Sequence, residues 1–238
     1  MRATMTILVV AIGLLAAVLG HGQETPAMPE VTGGDELVKE RGRFRETWVH
    51  PDSDLTRYDK LYLWQSVFNF RDVGEARRNV TASSFMRERG PYAITEESKS
   101  RFERVVAAAF VKELQKSKQF EVVDQPGPNT LLVRALVIDI SSNVPIEATS
   151  RTEVYLSAIG EATFLFELID AESGVVQARA GERREIQAPG VVHHVSTIPA
   201  NAATIWAGIE RWAHEVGGDL RKALDKAAER AARNAPSE

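Results

Sequence analysis

Histidine is the residue type in this chain with the widest range of catalytic and metal-binding chemistry. His193 and His194 are adjacent, and adjacent side chains of an extended segment point in opposite directions, so this pair does not chelate one ion as a unit. His50 and His214 have no partner histidine at helical i, i+4 spacing. A metal site needs several converging ligands, so we expect no metal here. A hydrolase or metal-dependent enzyme that uses His193, His194 or His214 with nearby carboxylates stays as an alternative.

Charged residues inside apolar strands form a second set of candidates. The run 131–140 is apolar except for Arg134 and Asp139. A charge in a buried strand must be paired or lie at the end of the strand, so a structural ion pair is the favoured reading. We keep Arg134 and Asp139 as candidate binding residues. The segment Glu182-Arg183-Arg184-Glu185 can bind an anion, but solvated cross-strand pairs explain it more simply.

Recognised catalytic motifs are missing from the sequence. It contains no Gly-rich phosphate loop, no G-x-S-x-G and no H-E-x-x-H. We therefore assign no catalytic residue, no metal and no cofactor, and we favour a protein that is not an enzyme.

The order of the predicted elements indicates an α+β fold. The first helix begins after Thr95, whose hydroxyl can cap it, and a second helix spans 200–233. The order is strand, helix, four strands, helix. It predicts a mostly antiparallel sheet of about five strands with two helices packed on one face. The predicted strands are a run around Leu61 and the segments 120–123, 131–140, 154–169 and 175–186, the last of them at a sheet edge.

The amino terminus has the pattern of a secretory leader. Arg2 precedes an unbroken apolar run over 7–19, and small and polar residues follow it. We therefore predict a signal peptide at 1–22, cleaved near Gly20–Gln23, and a protein that is periplasmic or secreted. An uncleaved leader that serves as an anchor is the alternative. A flexible tail over 23–53, with Trp48 as its docking point, would then precede a single α+β domain over 54–233.

Composition narrows the range of partners. The formal net charge of −4 argues against a nucleic-acid partner, because nucleic acid binds basic surfaces. No second apolar run approaches the length of a transmembrane span, so we expect none in the mature chain. The chain has no cysteine, which excludes a thioether-linked lipid anchor and leaves stability to core packing. The expected partner is another envelope protein or a second copy of the chain.

Several ordered segments resemble one bacterial family. They are DLTRYDKL at 54–61, FEVVD at 120–124, PGPNTLLVR at 126–134, the DAESG turn at 170–174, and the helix around Trp212. Together they resemble the envelope family catalogued as domain of unknown function 3313, many of whose members look like lipoproteins. The resemblance covers roughly 48–225 and implies no catalytic residues. The chain departs from a lipoprotein pattern because His21 follows Gly20 where the lipid-bearing cysteine would stand.

The sequence therefore favours a non-enzymatic binding or assembly module of the cell envelope. The enzyme described above is one alternative, and a carrier for a small apolar ligand is another. An unpaired strand edge or exposed apolar patch would favour the module. A large apolar cavity under Phe164 and Phe166 would favour the carrier.

Overall fold

The computed structural model describes residues 29–74, 91–145, 155–188, 198–199 and 201–234. These residues form strands, two long helices and one short 3-10 helix at Leu55–Arg57. The elements are, in chain order, β1 (Val38–Lys39), β2 (Glu46–Val49), β3 (Lys60–Phe70), α1 (Glu96–Leu114), β4 (Glu121–Val122), β5 (Thr130–Ser142), β6 (Tyr155–Leu156), β7 (Ala158–Asp170), β8 (Val176–Gln187), β9 (Ile198–Pro199) and α2 (Ala202–Asn234).

The main sheet is mixed. Its strands lie in the order β1-β2-β8-β7-β5-β3-β4, while β6 and β9 form a separate two-stranded ladder. Strand β3 is parallel to β4 and β5, and the other neighbours are antiparallel. The α+β class with two helices is confirmed, but the sheet has seven strands and is less uniformly antiparallel than predicted. Helix α1 lies between β3 and β5 in the chain, and such a helical crossover makes parallel pairing of its flanking strands feasible.

The segment expected to be a loose tail contributes two strands. Strand β2 pairs with β8, from Glu46 opposite Gly181 to Val49 opposite Ala178, and β1 pairs with β2. Trp48, the predicted docking residue, lies within β2 opposite Arg179. Strand β8 is consequently an interior strand, not the edge that its alternating charges suggested. The charged side chains lie on a face of the sheet, and their alternation does not indicate which strands lie at its edges.

Both helices pack on the same face of the sheet. Arg101 of α1 lies over Trp206 of α2, and Glu113 of α1 contacts His214 of α2. The second contact is nearer the C-terminus in both helices, so α1 and α2 run parallel. A Cβ at Gly217 would lie 3.2 Å from the Cβ of Glu113, so this glycine permits the close approach of the two helices. Between the helices and the sheet lies one large core, which includes the buried rings of Phe44, Phe102, Phe110, Phe164, Phe166 and Trp212.

The opposite face of the sheet is partly covered by residues 29–37, which we call the N-terminal strap. The amide of Thr32 donates to the carbonyl of Gly174, and the amide of Val176 donates to the carbonyl of Thr32. The strap side chains Val31 and Leu37 pack over a small second core of Leu132, Ile169 and Val176. Across the described ranges, no helix is long and apolar enough to cross a membrane.

Candidate functional site

Among the described residues, strand β3 is paired along its whole length on one side only. On that side it pairs with β5 from Lys60 to Phe70. On the other side β4 pairs with Lys60 and Leu61, and no other strand in the described parts of the chain continues that ladder. We call the side of Leu63–Phe70 that faces away from β5 the free edge. Its backbone amides and carbonyls are a template for an added strand.

The free edge has few of the features that normally protect a sheet edge. Proteins blunt such edges with charged side chains, proline, bulges or very short strands. The sequence of 63–70, LWQSVFNF, contains no charged residue and no proline. One bulge is present, because Trp64 is an extra residue of β3 between the pairs made by Leu63 and Gln65. From Gln65 to Phe70 β3 itself has no extra residue, and the second register shift, between Phe68 and Phe70, comes from an extra residue of β5.

The two sides of this regular segment differ in chemistry. Phe68 and Phe70 point toward the helices, where their ring centroids lie 6.2 and 5.8 Å from that of Phe102 on α1. Both are only half-buried, unlike Phe102. Gln65 and Asn69 are exposed on the helix-free side. An added strand would therefore meet aromatic rings on one side and amide groups on the other.

Arg134 lies in an ion-pair cluster on the helix-free face. Glu167 of β7 lies directly between Arg134 of β5 and Arg179 of β8 in the sheet register. The Nε of Arg134 donates to Glu167 at 2.6 Å and the Nε of Arg179 donates to it at 2.9 Å. The pairing expected for a charge in this strand is present, and the binding role of Arg134 stays a prediction.

Asp139 lies in a second cluster, at the other end of the same face. It accepts two hydrogen bonds from the Arg71 guanidinium, at 2.6 and 2.7 Å, and another from Arg183, which also pairs with Glu161. Asp139 is an extra residue of β5 relative to both neighbouring strands, with φ of 54°. Aspartate tolerates this left-handed conformation better than most residues. The cluster therefore stabilises both the charge of Asp139 and the bulge of β5 at which this residue lies.

Acid is expected to destabilise the protein through these carboxylates. Hydrogen bonds from Arg71 and Arg183 hold the pKa of Asp139 well below its usual value, and Arg183 lowers the pKa of Glu161. A lowered folded-state pKa contributes stability above the unfolded pKa of about 4, and this contribution is lost as pH falls. Urea unfolding between about pH 5 and pH 2 should show this loss. Asp139→Asn, which tolerates the same backbone conformation, should show a shallower decline; an unchanged decline would contradict this account.

The histidines do not form a common site in the described residues. His193 and His194 lie outside the described residues. The Nδ1 of His214 is 2.9 Å from Glu113 between the two helices, and the Nε2 of His50 is 3.0 Å from Glu36 of the strap. The Nδ1 of His50 accepts from the amide of Asp52, so both of its nitrogens are occupied within the fold. No group of three or more potential metal ligands occurs among the residues described.

An open pocket of about 260 Å³ lies beside the turn between β7 and β8. Its most buried acid, Asp170, accepts hydrogen bonds from the Tyr58 hydroxyl at 2.6 Å and from the amides of Glu172 and Ser173 at 2.8 Å. Burial raises the pKa of Tyr58, and Asp170 adds to that rise. Burial opposes ionisation of Asp170, but these hydrogen bonds lower its pKa overall. Asp170 therefore stabilises the turn between β7 and β8, and we assign it no catalytic or binding role.

The apolar interior is filled where a carrier would need space. The Phe166 ring centroid lies 5.4 Å from that of Phe110 and 6.0 Å from that of Phe44. Phe164 and Phe44 make an edge-to-face contact at 5.5 Å. These rings occupy the region under Phe164 and Phe166 that was the expected location of a ligand cavity.

The free edge was not among the residues singled out from sequence. The signal that could have found it is the uncharged aromatic run of β3, since a long edge strand without lysine or proline needs a cover. That run equally describes an interior strand. Only the strand order distinguishes an edge strand from an interior strand, and the local sequence pattern does not determine the strand order.

Comparison with solved structures gives distant similarities. Protein XCC0632 from Xanthomonas campestris, family DUF330, aligns at 10% identity and TM-score 0.43, covering 85% of this chain and 96% of that one. A PelC dodecamer from Paraburkholderia phytofirmans aligns at 13% identity and TM-score 0.31, covering 78% and 95%. A neuraminyllactose-binding hemagglutinin homolog from Helicobacter pylori aligns at 13% identity and TM-score 0.36, covering 74% and 89%. Similarities of this strength carry no argument about function.

Sequence comparison identifies a family without an assigned activity. No curated protein matches the chain. The family model described as Protein of unknown function (DUF3313) matches residues 35–216, from the end of the N-terminal strap to the middle of α2. The chain therefore belongs to the DUF3313 family.

Proposed function

We propose that this protein is a non-enzymatic assembly module of the bacterial cell envelope, which binds an extended protein segment along the free edge of β3. The observation that carries the proposal is the uncharged side of Leu63–Phe70 that no other described strand pairs with. Strand addition at such an edge takes its affinity from main-chain hydrogen bonds and its specificity from alternate side chains. The sequence pattern that predicts a signal peptide at 1–22 supports a protein that is periplasmic or secreted.

The two arginine–carboxylate clusters on the helix-free face are engaged within the fold. Arg134 and Arg179 share Glu167, while Arg71 and Arg183 share Asp139. A catalytic or ligand-binding site usually keeps polar groups directed at an open cleft. Within the described ranges, no strand pairs with the main-chain groups of the free edge.

The first test is photo-crosslinking from the free edge in cells. A photoreactive amino acid at the exposed Gln65 should capture a protein on irradiation, whereas one at Val38, on the opposite edge of the sheet, should not capture the same protein. The adducts are identified by mass spectrometry after periplasmic fractionation. Recovery only from the cytoplasm would refute the envelope location. Absence of a protein adduct specific to Gln65 would refute strand addition.

Amide hydrogen exchange of the isolated protein supplies the complementary measurement. Amides of 63–70 that point away from β5 should exchange rapidly in a dilute sample, because no strand in the described chain protects them. Amides of β7, which has neighbours on both sides, should exchange slowly. Slow exchange of every amide in 63–70 would mean that the edge is already paired within the chain, and the proposal would be wrong.

A further inference from the structure

We infer that the segment bound at the free edge is the β3 strand of a second copy of this chain, in an antiparallel pair whose twofold axis passes beside Val67. This inference rests on the proposed function and names its partner. A symmetric pair places the same surface of both copies in contact, so that surface must be complementary to itself.

The register with Val67 opposite itself meets this requirement and is centred on 65–69. With Val67 opposite itself, Gln65 faces Asn69 and Ser66 faces Phe68. The sheet register places Gln65 and Val67 on the side of Arg134 and Leu136, away from the helices. Like sides therefore meet like sides across the pair, as an antiparallel ladder requires.

The side-chain chemistry of this register is also complementary. Two Gln65–Asn69 pairs form by symmetry, and both residues are exposed in the single chain. Their amide groups can donate to and accept from each other across the strands. Val67 packs against its symmetry mate as a β-branched pair. No charged side chain faces another, because the segment has none.

The ends of β3 set the length of the pair. Strand β4 already occupies the position beside Lys60 and Leu61, and the Trp64 bulge reverses the alternation before Leu63. A pair over 65–69 stops short of both features. So short a ladder buries less than the roughly 1,200 Å² of a stable interface, so we expect a weak dimer with a Kd in about the micromolar to millimolar range.

Because the chain has no cysteine, a single introduced thiol tests the pairing directly. Val67→Cys introduces the only thiol of the chain. Residues opposite each other in an antiparallel pair have Cα atoms about 4.5–5.5 Å apart, a distance that a disulfide spans. Under mild oxidation Val67→Cys should form a disulfide dimer at least about tenfold faster than Val38→Cys, which is on the opposite edge and more exposed to random collision. Equal rates would overturn the twofold pair.

A charge exchange tests the register without a covalent bond. Val67→Lys and Val67→Glu each place like charges directly opposite each other and should abolish the dimer seen by sedimentation at high concentration. An equimolar mixture should restore it as a heterodimer. Failure of the mixture to restore association, or a wild-type chain that stays monomeric at millimolar concentration, would overturn the inference. Capture of a different protein at Gln65 would then keep the proposed function while refuting self-pairing, whereas no adduct would refute both.

Discussion

Replacing Phe166 with alanine is expected to lower the free energy of unfolding by about 3–5 kcal/mol. The side chain is 1% exposed and lies at the meeting point of three other rings, those of Phe44, Phe110 and Phe164. Alanine would remove a large apolar surface and leave a cavity that rigid neighbours on different elements cannot close. The loss is a large part of the roughly 5–15 kcal/mol that stabilises a typical domain. Urea unfolding followed by circular dichroism measures it.

Two companion variants make this measurement decisive. Val38→Ala, at a valine that is 55% exposed, should change stability by no more than about 0.5 kcal/mol. Phe44→Ala should cost several kcal/mol, about as much as other buried phenylalanines. Phe44 lies in the segment that the sequence predicted to be a flexible tail, and its ring is 4% exposed. A cost below about 0.5 kcal/mol for Phe44→Ala would show that this segment is not docked.

Local sequence signals predicted individual elements well. Thr95 caps α1 as expected, since its hydroxyl accepts from the amide of Ser98. The apolar run at 131–140 lies in β5, and 158–169 of the strand predicted over 154–169 lies in β7, which has a register shift against β8 next to Gly160. Tyr155–Leu156 of the same predicted strand form β6 in the separate ladder, so the predicted strand is divided. A Cβ at Gly160 would lie 2.0 Å from the carbonyl oxygen of Ser141, so no larger residue fits there without displacing β5. Each of these signals acts within a few residues of its own position.

The other errors concern which elements are neighbours. The polar residues of β2 resemble those of a solvated tail because only Phe44, just before the strand, enters the large core there. The charges of β8 resemble those of an edge strand because Arg179 and Arg183 meet their partners across the sheet face. The free edge of β3 could not be predicted for the same reason. Long-range pairing is decided by the whole chain, whereas hydrophobic periodicity reports only burial of a face.

Breaking the Arg134–Glu167–Arg179 cluster is the second change for which we expect a large effect. Glu167 is 3% exposed, and its removal by Glu167→Ala leaves two arginines close together without their shared carboxylate. Loss of one partner of a buried ion pair costs about 3–5 kcal/mol, and we expect about 2–3 kcal/mol here because both arginines reach solvent in part. Urea unfolding at neutral pH gives the value. A cost below about 1 kcal/mol would mean that solvent already satisfies the arginines.

A triple replacement separates stability from binding at the same cluster. Arg134→Met, Glu167→Leu and Arg179→Met together remove all three charges and keep similar volumes, so stability should return close to that of the unmodified chain. If the triple variant is as unstable as Glu167→Ala, packing at this position and not the unpaired charge is the cause. In the stable triple variant, crosslinking from Gln65 tests the predicted binding role of Arg134 directly. Arg134 lies opposite Gln65 in the register, on the side of β3 that is already paired. An unchanged adduct would assign Arg134 to the fold alone, and a lost adduct would extend the binding surface from the free edge onto the helix-free face.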